Sequence, residues 1–215
     1  LRYKVLSMDQ EKSLRDLAAI RSMMEESSRF MSLSGLSGLS AGAVALLGAG
    51  GVYAYLRERG ILGALGKRIA YIPDNQTLIE LSALALLTLA CALGASAYFT
   101  LRRVRQQGQP LWTPAARRLL LSLALPLAAG AAFCLQLAWW GMGKLVPGAT
   151  LLFYGMALFS AAKYTLGEVR WLGLAQMALG LLAGFFTGYG LLFWAAGFGL
   201  LHMFYGLRMY WKYER

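Results

Sequence analysis

The chain has 215 residues, of which 58% are hydrophobic and only 14% charged, against roughly 45–50% and about 25% in a soluble globular domain. That apolar excess excludes a soluble fold of this length, because the apolar residues fall in runs close to the roughly 20 needed to cross a bilayer as helix. The net charge of +11 does not imply nucleic-acid binding, since the basic residues gather beside the ends of those runs, where they meet anionic headgroups.

In chain order, residues 9–30, "DQEKSLRDLAAIRSMMEESSRF", contain neither Gly nor Pro. Pairs at i, i+4 recur in Glu11 with Arg15, Lys12 with Asp16, Arg21 with Glu25 and Glu25 with Arg29. Leu14, Leu17, Ile20, Met24 and Met31 form one apolar stripe, which predicts a cytosolic amphipathic helix feeding the first span. Its apolar face has two uses: to lie on lipid headgroups, or to dock a partner protein or a second copy in a homo-oligomer. The polar character of the first 30 residues predicts no removable signal peptide.

Six spans are predicted, at 32–56, 77–101, 117–141, 147–165, 170–187 and 190–210. Stretches such as "LSALALLTLACALGASAYF" lack the alternation of a β-barrel strand. The fold class is therefore all-α, a polytopic membrane bundle of six transmembrane helices preceded by the amphipathic helix. The division is 1–30 for the cytosolic segment and 31–215 for the membrane domain. Span one carries small residues every four positions, Ser34, Gly38 and Gly42, continued by Ala45 and Ala49. Span five repeats the device at Gly180, Gly184 and Gly188, rows that predict close helix packing within the chain or between two copies. Pro126 predicts a kink in span three.

Six spans put both termini on one side. Arg102, Arg103, Arg105, Arg117 and Arg118 join the basic N- and C-terminal segments there, whereas Arg57, Arg59, Lys67, Arg68 and Lys144 fall opposite. By the positive-inside rule both termini face the cytoplasm. Trp112, Trp139, Trp140, Trp171, Trp211, Tyr71, Tyr210 and Tyr213 fall near the predicted interfaces, as aromatic belts do.

Polar residues inside spans are costly, so each is a functional candidate. Lys163, Glu168, Gln176 and His202 form an inner set on three consecutive spans, and Lys163, Gln176 and His202 are expected to face one another or a small cavity. Glu80 and Gln136 form an outer pair. Two readings follow for the inner set: hydrogen bonds that fasten helices, or a path for a proton, ion or polar solute with His202 as its titrating group. Paired carboxylates, a nucleophile with its base and metal-ligand clusters are all missing from the predicted loops, so neither an enzyme nor a cofactor or metal is expected. Cys91 and Cys134 lie inside spans and are expected to pack as small core residues.

The run "IRSMMEESSRFMSLSGLSGLSAGAVALLGA", Ile20 to Ala49, resembles the N-terminal signature of an uncharacterised family of bacterial multi-pass membrane proteins. In these, a polar helix leads through Ser-Arg-Phe and Ser-Gly-Leu-Ser-Gly into the first span. The resemblance implies a bacterial inner-membrane setting and carries no activity to transfer.

Overall fold

The computed structural model describes Asp16 and residues 34–62, 75–108, 110 and 112–215. Apart from Asp16, the segment 9–30 expected to be an amphipathic helix lies outside the described residues, as do residues 63–74 between the first two helices. Among the described residues the protein is all-helical, with six rods. α1 is Gly35–Glu58, α2 Asn75–Gln106, α3 Pro114–Trp139, α4 Val146–Ala161 and α5 Glu168–Phe185. The sixth rod is composite. α6 (Gly190–Trp194) continues through a π-helical turn (Ala195–Leu201) into α7 (His202–Tyr213), with helical backbone at both joins.

Five segments are long and apolar enough to cross a membrane: Gly35–Glu58, Gln76–Gln106, Pro114–Trp139, Gly143–Tyr164 and Thr187–Tyr213. The remaining rod, α5, is 18 residues long and begins with Glu168 and Arg170 in its first turn. α2 is longer than expected. Its 32 residues extend about 48 Å at 1.5 Å per residue, longer than a hydrocarbon core of about 30 Å, and Arg102, Arg103 and Arg105 lie in its last two turns.

Local sequence explains the ends. Thr113 caps α3, its hydroxyl accepting from Ala116 N–H at 3.1 Å, with Pro114 in the first turn. The exits of α1, α2 and α3 turn on glycines in the left-handed region, Gly60, Gly108 and Gly141, each two residues past its helix end. Ser37 and Ser40 donate back to the carbonyls of Ser34 and Ser37 at 2.6 and 3.0 Å, so "GLSGLS", residues 35–40, is helix and not linker. α3 runs through Pro126 unbroken. One turn earlier, Ser122 shares a hydrogen bond of 2.8 Å with Ser160 of α4, tying the helices beside the proline.

Two antiparallel glycine seams organise the packing. A methyl on Gly155 would lie 2.6 Å from the Gly173 carbonyl oxygen, and one on Gly173 2.8 Å from that of Gly155. Gly148 and Gly180 oppose each other in the same way, at 2.9 and 2.8 Å. Between α1 and the sixth rod, a methyl on Gly35 would meet the Gly206 carbonyl at 2.5 Å, and one on Gly42 that of Gly199 at 2.7 Å. In all four helices the glycines are seven apart, the period that keeps one seam facing its partner along antiparallel helices. Only hydrogen fits at these points, which lets backbones touch and gain dispersion contact where lipid removes the hydrophobic driving force.

The seams correct the predicted packing rows in part. Ser34 is buried, and Gly38 and Gly42 lie on the sixth rod as an intramolecular face. On α5, Gly180 belongs to a seam, but a side chain at Gly184 would meet open space. Gly188 lies beyond the end of α5, in the 3-10 turn Thr187–Tyr189. The partner of Gly180 along the helix is Gly173, because the contact follows a seven-residue period.

α1 packs on α2 at one side and on the sixth rod at the other, and α4 packs on α5 and on α3. α2 and α3 sit at the flanks with large apolar side chains outward, including Leu86, Leu93, Leu125 and Leu135. Cys91 is exposed on α2 and Cys134 is half-buried, contrary to the expected core placement. Both sit on these flanking helices. Trp112, Trp139, Trp140, Trp171 and Trp211 are all exposed at or near rod ends.

Candidate functional site

Of the predicted inner residues, the fold brings two together and adds a third. Gln176 of α5 has no exposed surface and His202 is 7% exposed. Gln176 Nε2 donates to the Gly197 carbonyl at 2.8 Å, and His202 Nδ1 lies 3.0 Å from the same oxygen. From α4, the Tyr154 hydroxyl lies 2.9 Å from His202 Nε2.

These distances fix the proton placement. Gly197 O has two lone pairs and only acceptor character, so it takes one hydrogen from the glutamine amide and one from Nδ1–H. His202 then carries a proton on Nδ1, and its Nε2 pairs with the Tyr154 hydroxyl. Nε2 of Gln176, 3.3 Å from Nδ1, is a neighbouring donor and not a further bond. A flipped amide would set two oxygens 2.8 Å apart, so its orientation is fixed as well.

The π turn supplies the acceptor. Widening the helix over Ala195–Leu201 presents the Gly197 carbonyl to side chains from its own rod and from α5, and such turns often mark functional positions. Phe198 stacks on the His202 ring at 16° between planes and packs against Trp194 and Tyr154 at 5.0 Å between centroids. Gly197 itself has no room for a side chain, since a methyl would lie 2.5 Å from Gln176 Oε1. That oxygen is buried without a hydrogen-bond partner.

Lys163 does not join this cluster. It is exposed in the 3-10 turn Ala162–Tyr164, where α4 has ended. Glu168 is separate too, at the first residue of α5. Its carboxylate accepts from Lys212 Nζ and, at 3.0 Å, from Tyr213 O–H, pinning α5 to the end of the sixth rod. Burial pushes this carboxyl up, but the hydrogen bonds from Lys212 and Tyr213 outweigh it and hold it below the usual carboxylate range. A lowered folded pKa gives stability that is complete above about pH 4.3 and is lost as pH falls through the lowered value. Lys212 is half exposed, so the contribution is about 1 kcal/mol or less. Thermal unfolding in detergent at pH 7 and pH 3 should therefore show a smaller acid-induced fall for Glu168→Gln than for the parent; equal falls would remove this pair as a source of acid sensitivity.

The outer pair also separates. Glu80 accepts from Tyr55 O–H and from Arg59 at 2.9 Å, clasping α2 to the far end of α1. Gln136 is exposed on α3, a flanking helix that packs on α4.

Sequence reading missed Tyr154, Gly197 and Phe198. Trp194, Phe198 and His202 recur every four residues, and that ladder was the available signal. Nothing marked Tyr154, one of many aromatics in a chain with 11 tyrosines. Among the described residues, no group of three or more His, Cys, Asp or Glu converges as metal ligands would. The cluster offers a hydroxyl, an imidazole, an amide and a carbonyl, and among the described residues no carboxylate is hydrogen-bonded to it. The class of protein the fold defines is an all-helical one with several helices able to cross a membrane. No known protein family, curated protein or solved structure matches the chain.

Proposed function

We propose that the chain is a six-span protein of a bacterial inner membrane, with both termini cytoplasmic and α5 as the sixth span over 170–187. The bundle has a structural, regulatory or partner-binding role and no catalytic one. The observation that carries this reading is the closure of the intramembrane polar groups on one another. Gln176 and His202 both meet the Gly197 carbonyl and Tyr154 meets His202, with Gln176 Oε1 alone left without a partner, and backbone-to-backbone glycine contacts flank them. Lys163 and Glu168, the charged members of the inner set, both stand outside the cluster. Membrane lipid surrounds the flanking helices, and the amphipathic segment 9–30 serves docking to headgroups, to a partner protein or to a second copy.

A small channel or transporter is the second reading, and one observation favours it: the unpartnered Gln176 Oε1 beside a π turn. Flux of protons and monovalent cations into liposomes carrying the purified protein distinguishes the two. The expected rate equals that of empty liposomes. A rate above that background, removed by His202→Leu in a variant that still folds, would replace the leading reading with transport.

A further inference from the structure

A cleft of about 370 Å³ opens at the end of the bundle where α1 begins and both α2 and α7 finish. Its polar wall is the last stretch of α2, with Arg102, Gln106 and Gln107. Leu36 and Phe99 lie deeper along their helices, and Tyr210 lines the opposite side. Arg103 reaches Glu214 across the floor, with only 11% and 14% of the two side chains exposed. The Glu214 carboxylate also accepts from Gly35 N–H and, at 3.3 Å, from the Ser34 hydroxyl. The first turn of α1 is thus already neutralised from within the chain.

We propose that this cleft binds the phosphate of an anionic phospholipid headgroup. The inference rests on reading the helices as membrane spans, which puts the overlong end of α2 at headgroup level. Arg102 is exposed and presents the planar donor fork that suits phosphate. Gln106 lies one turn further along the same helix face and adds amide donors. Arg103 is paired with Glu214, so the net positive charge of the cleft lining is that of Arg102. Leu36 and Phe99 continue the cleft toward the hydrocarbon side, where an acyl chain has to leave. That apolar continuation favours a lipid over free phosphate, which would need polar groups on every side.

Native mass spectrometry of the full chain, released from mixed micelles of phosphatidylglycerol and phosphatidylcholine, reads the site directly. Retention of phosphatidylglycerol in preference to phosphatidylcholine is expected, because choline's cation faces the charge of Arg102. Arg102→Gln should lower that retention about tenfold, the worth of one charge-assisted hydrogen bond, and Gln106→Ala should lower it less. Arg118→Gln, an exposed arginine on α3 at the same end, should leave it unchanged. Equal retention of both lipids, or no loss in Arg102→Gln with an unchanged melting midpoint, would overturn the site while leaving the membrane reading intact. Displacement of the lipid by millimolar inorganic phosphate would overturn the lipid as source. Retention of no lipid by any variant would count against the membrane reading itself.

Discussion

Gly180→Leu will destabilise the protein severely, and Gly184→Leu, four residues along the same helix, will not. At Gly180 even a methyl would lie 2.6 Å from Leu152 N and 2.8 Å from the Gly148 carbonyl, both backbone atoms that cannot step aside. The helices must part, and overpacking of this kind costs about 3 kcal/mol, worth roughly 6–12 °C in the midpoint for a chain of this length. At Gly184 a side chain points into open space. Replacing glycine within a helix there is neutral or slightly stabilising, by a few tenths to about 1 kcal/mol. Thermal unfolding in one detergent, with the two variants side by side, checks the pair. Equal losses at both positions would refute the seven-residue seam.

The second large effect is expected at the other end of the chain. Glu214 joins three elements: the start of α1 through Gly35 and Ser34, the end of α2 through Arg103, and its own rod. Arg103 also donates to the Tyr213 carbonyl at 3.2 Å. Glu214→Gln keeps the size and removes the charge that faces both a helix N-terminus and a largely buried guanidinium. Hydrogen bonds to a charged group are worth about 1.5–3 kcal/mol, so a fall of about 2 kcal/mol is expected. A double-mutant cycle with Arg103→Gln should return a coupling energy of about 1 kcal/mol or more. Additive effects of the two substitutions would mean that the clasp contributes little.

Much of the fold was legible because helices long and apolar enough to cross a membrane stand out in the sequence by length and hydropathy. The six apolar runs correspond to the six rods, and five of those segments meet the length and hydropathy of a span. The limits of each run were less legible. α2 overran its expected end by five residues, since Arg102, Arg103 and Arg105 halt hydropathy without halting a helix that is free to continue into headgroups.

Which face of each rod packs was harder still. In a soluble helix apolar residues mark the core face, but lipid is as apolar as leucine, so Leu125 and Leu135 look like core residues and face outward. The surviving markers are glycines and polar groups. Of the four-residue rows, Gly38, Gly42 and Gly180 meet neighbouring helices and Gly188 is buried in the turn after α5, but Gly184 faces open space, because the contacts follow the seven-residue pairs Gly148 with Gly155, Gly173 with Gly180 and Gly199 with Gly206. At the polar cluster, Gln176 and His202 announced themselves by their cost inside a span. Their acceptor did not, since a carbonyl released by a π turn has no signature in side-chain identity, and Lys163 was separated from them by a helix end that hydropathy does not resolve.

Whether the polar cluster is closed can be measured at position 176 itself. In a background with Cys91→Ala and Cys134→Ala, Gln176→Cys should resist small water-soluble maleimides and methanethiosulfonates in intact membranes, while Lys163→Cys, exposed at the helix end, labels readily. Labelling at position 176 at a rate near that of position 163 would reveal a hydrated route to the cluster and contradict the closed bundle.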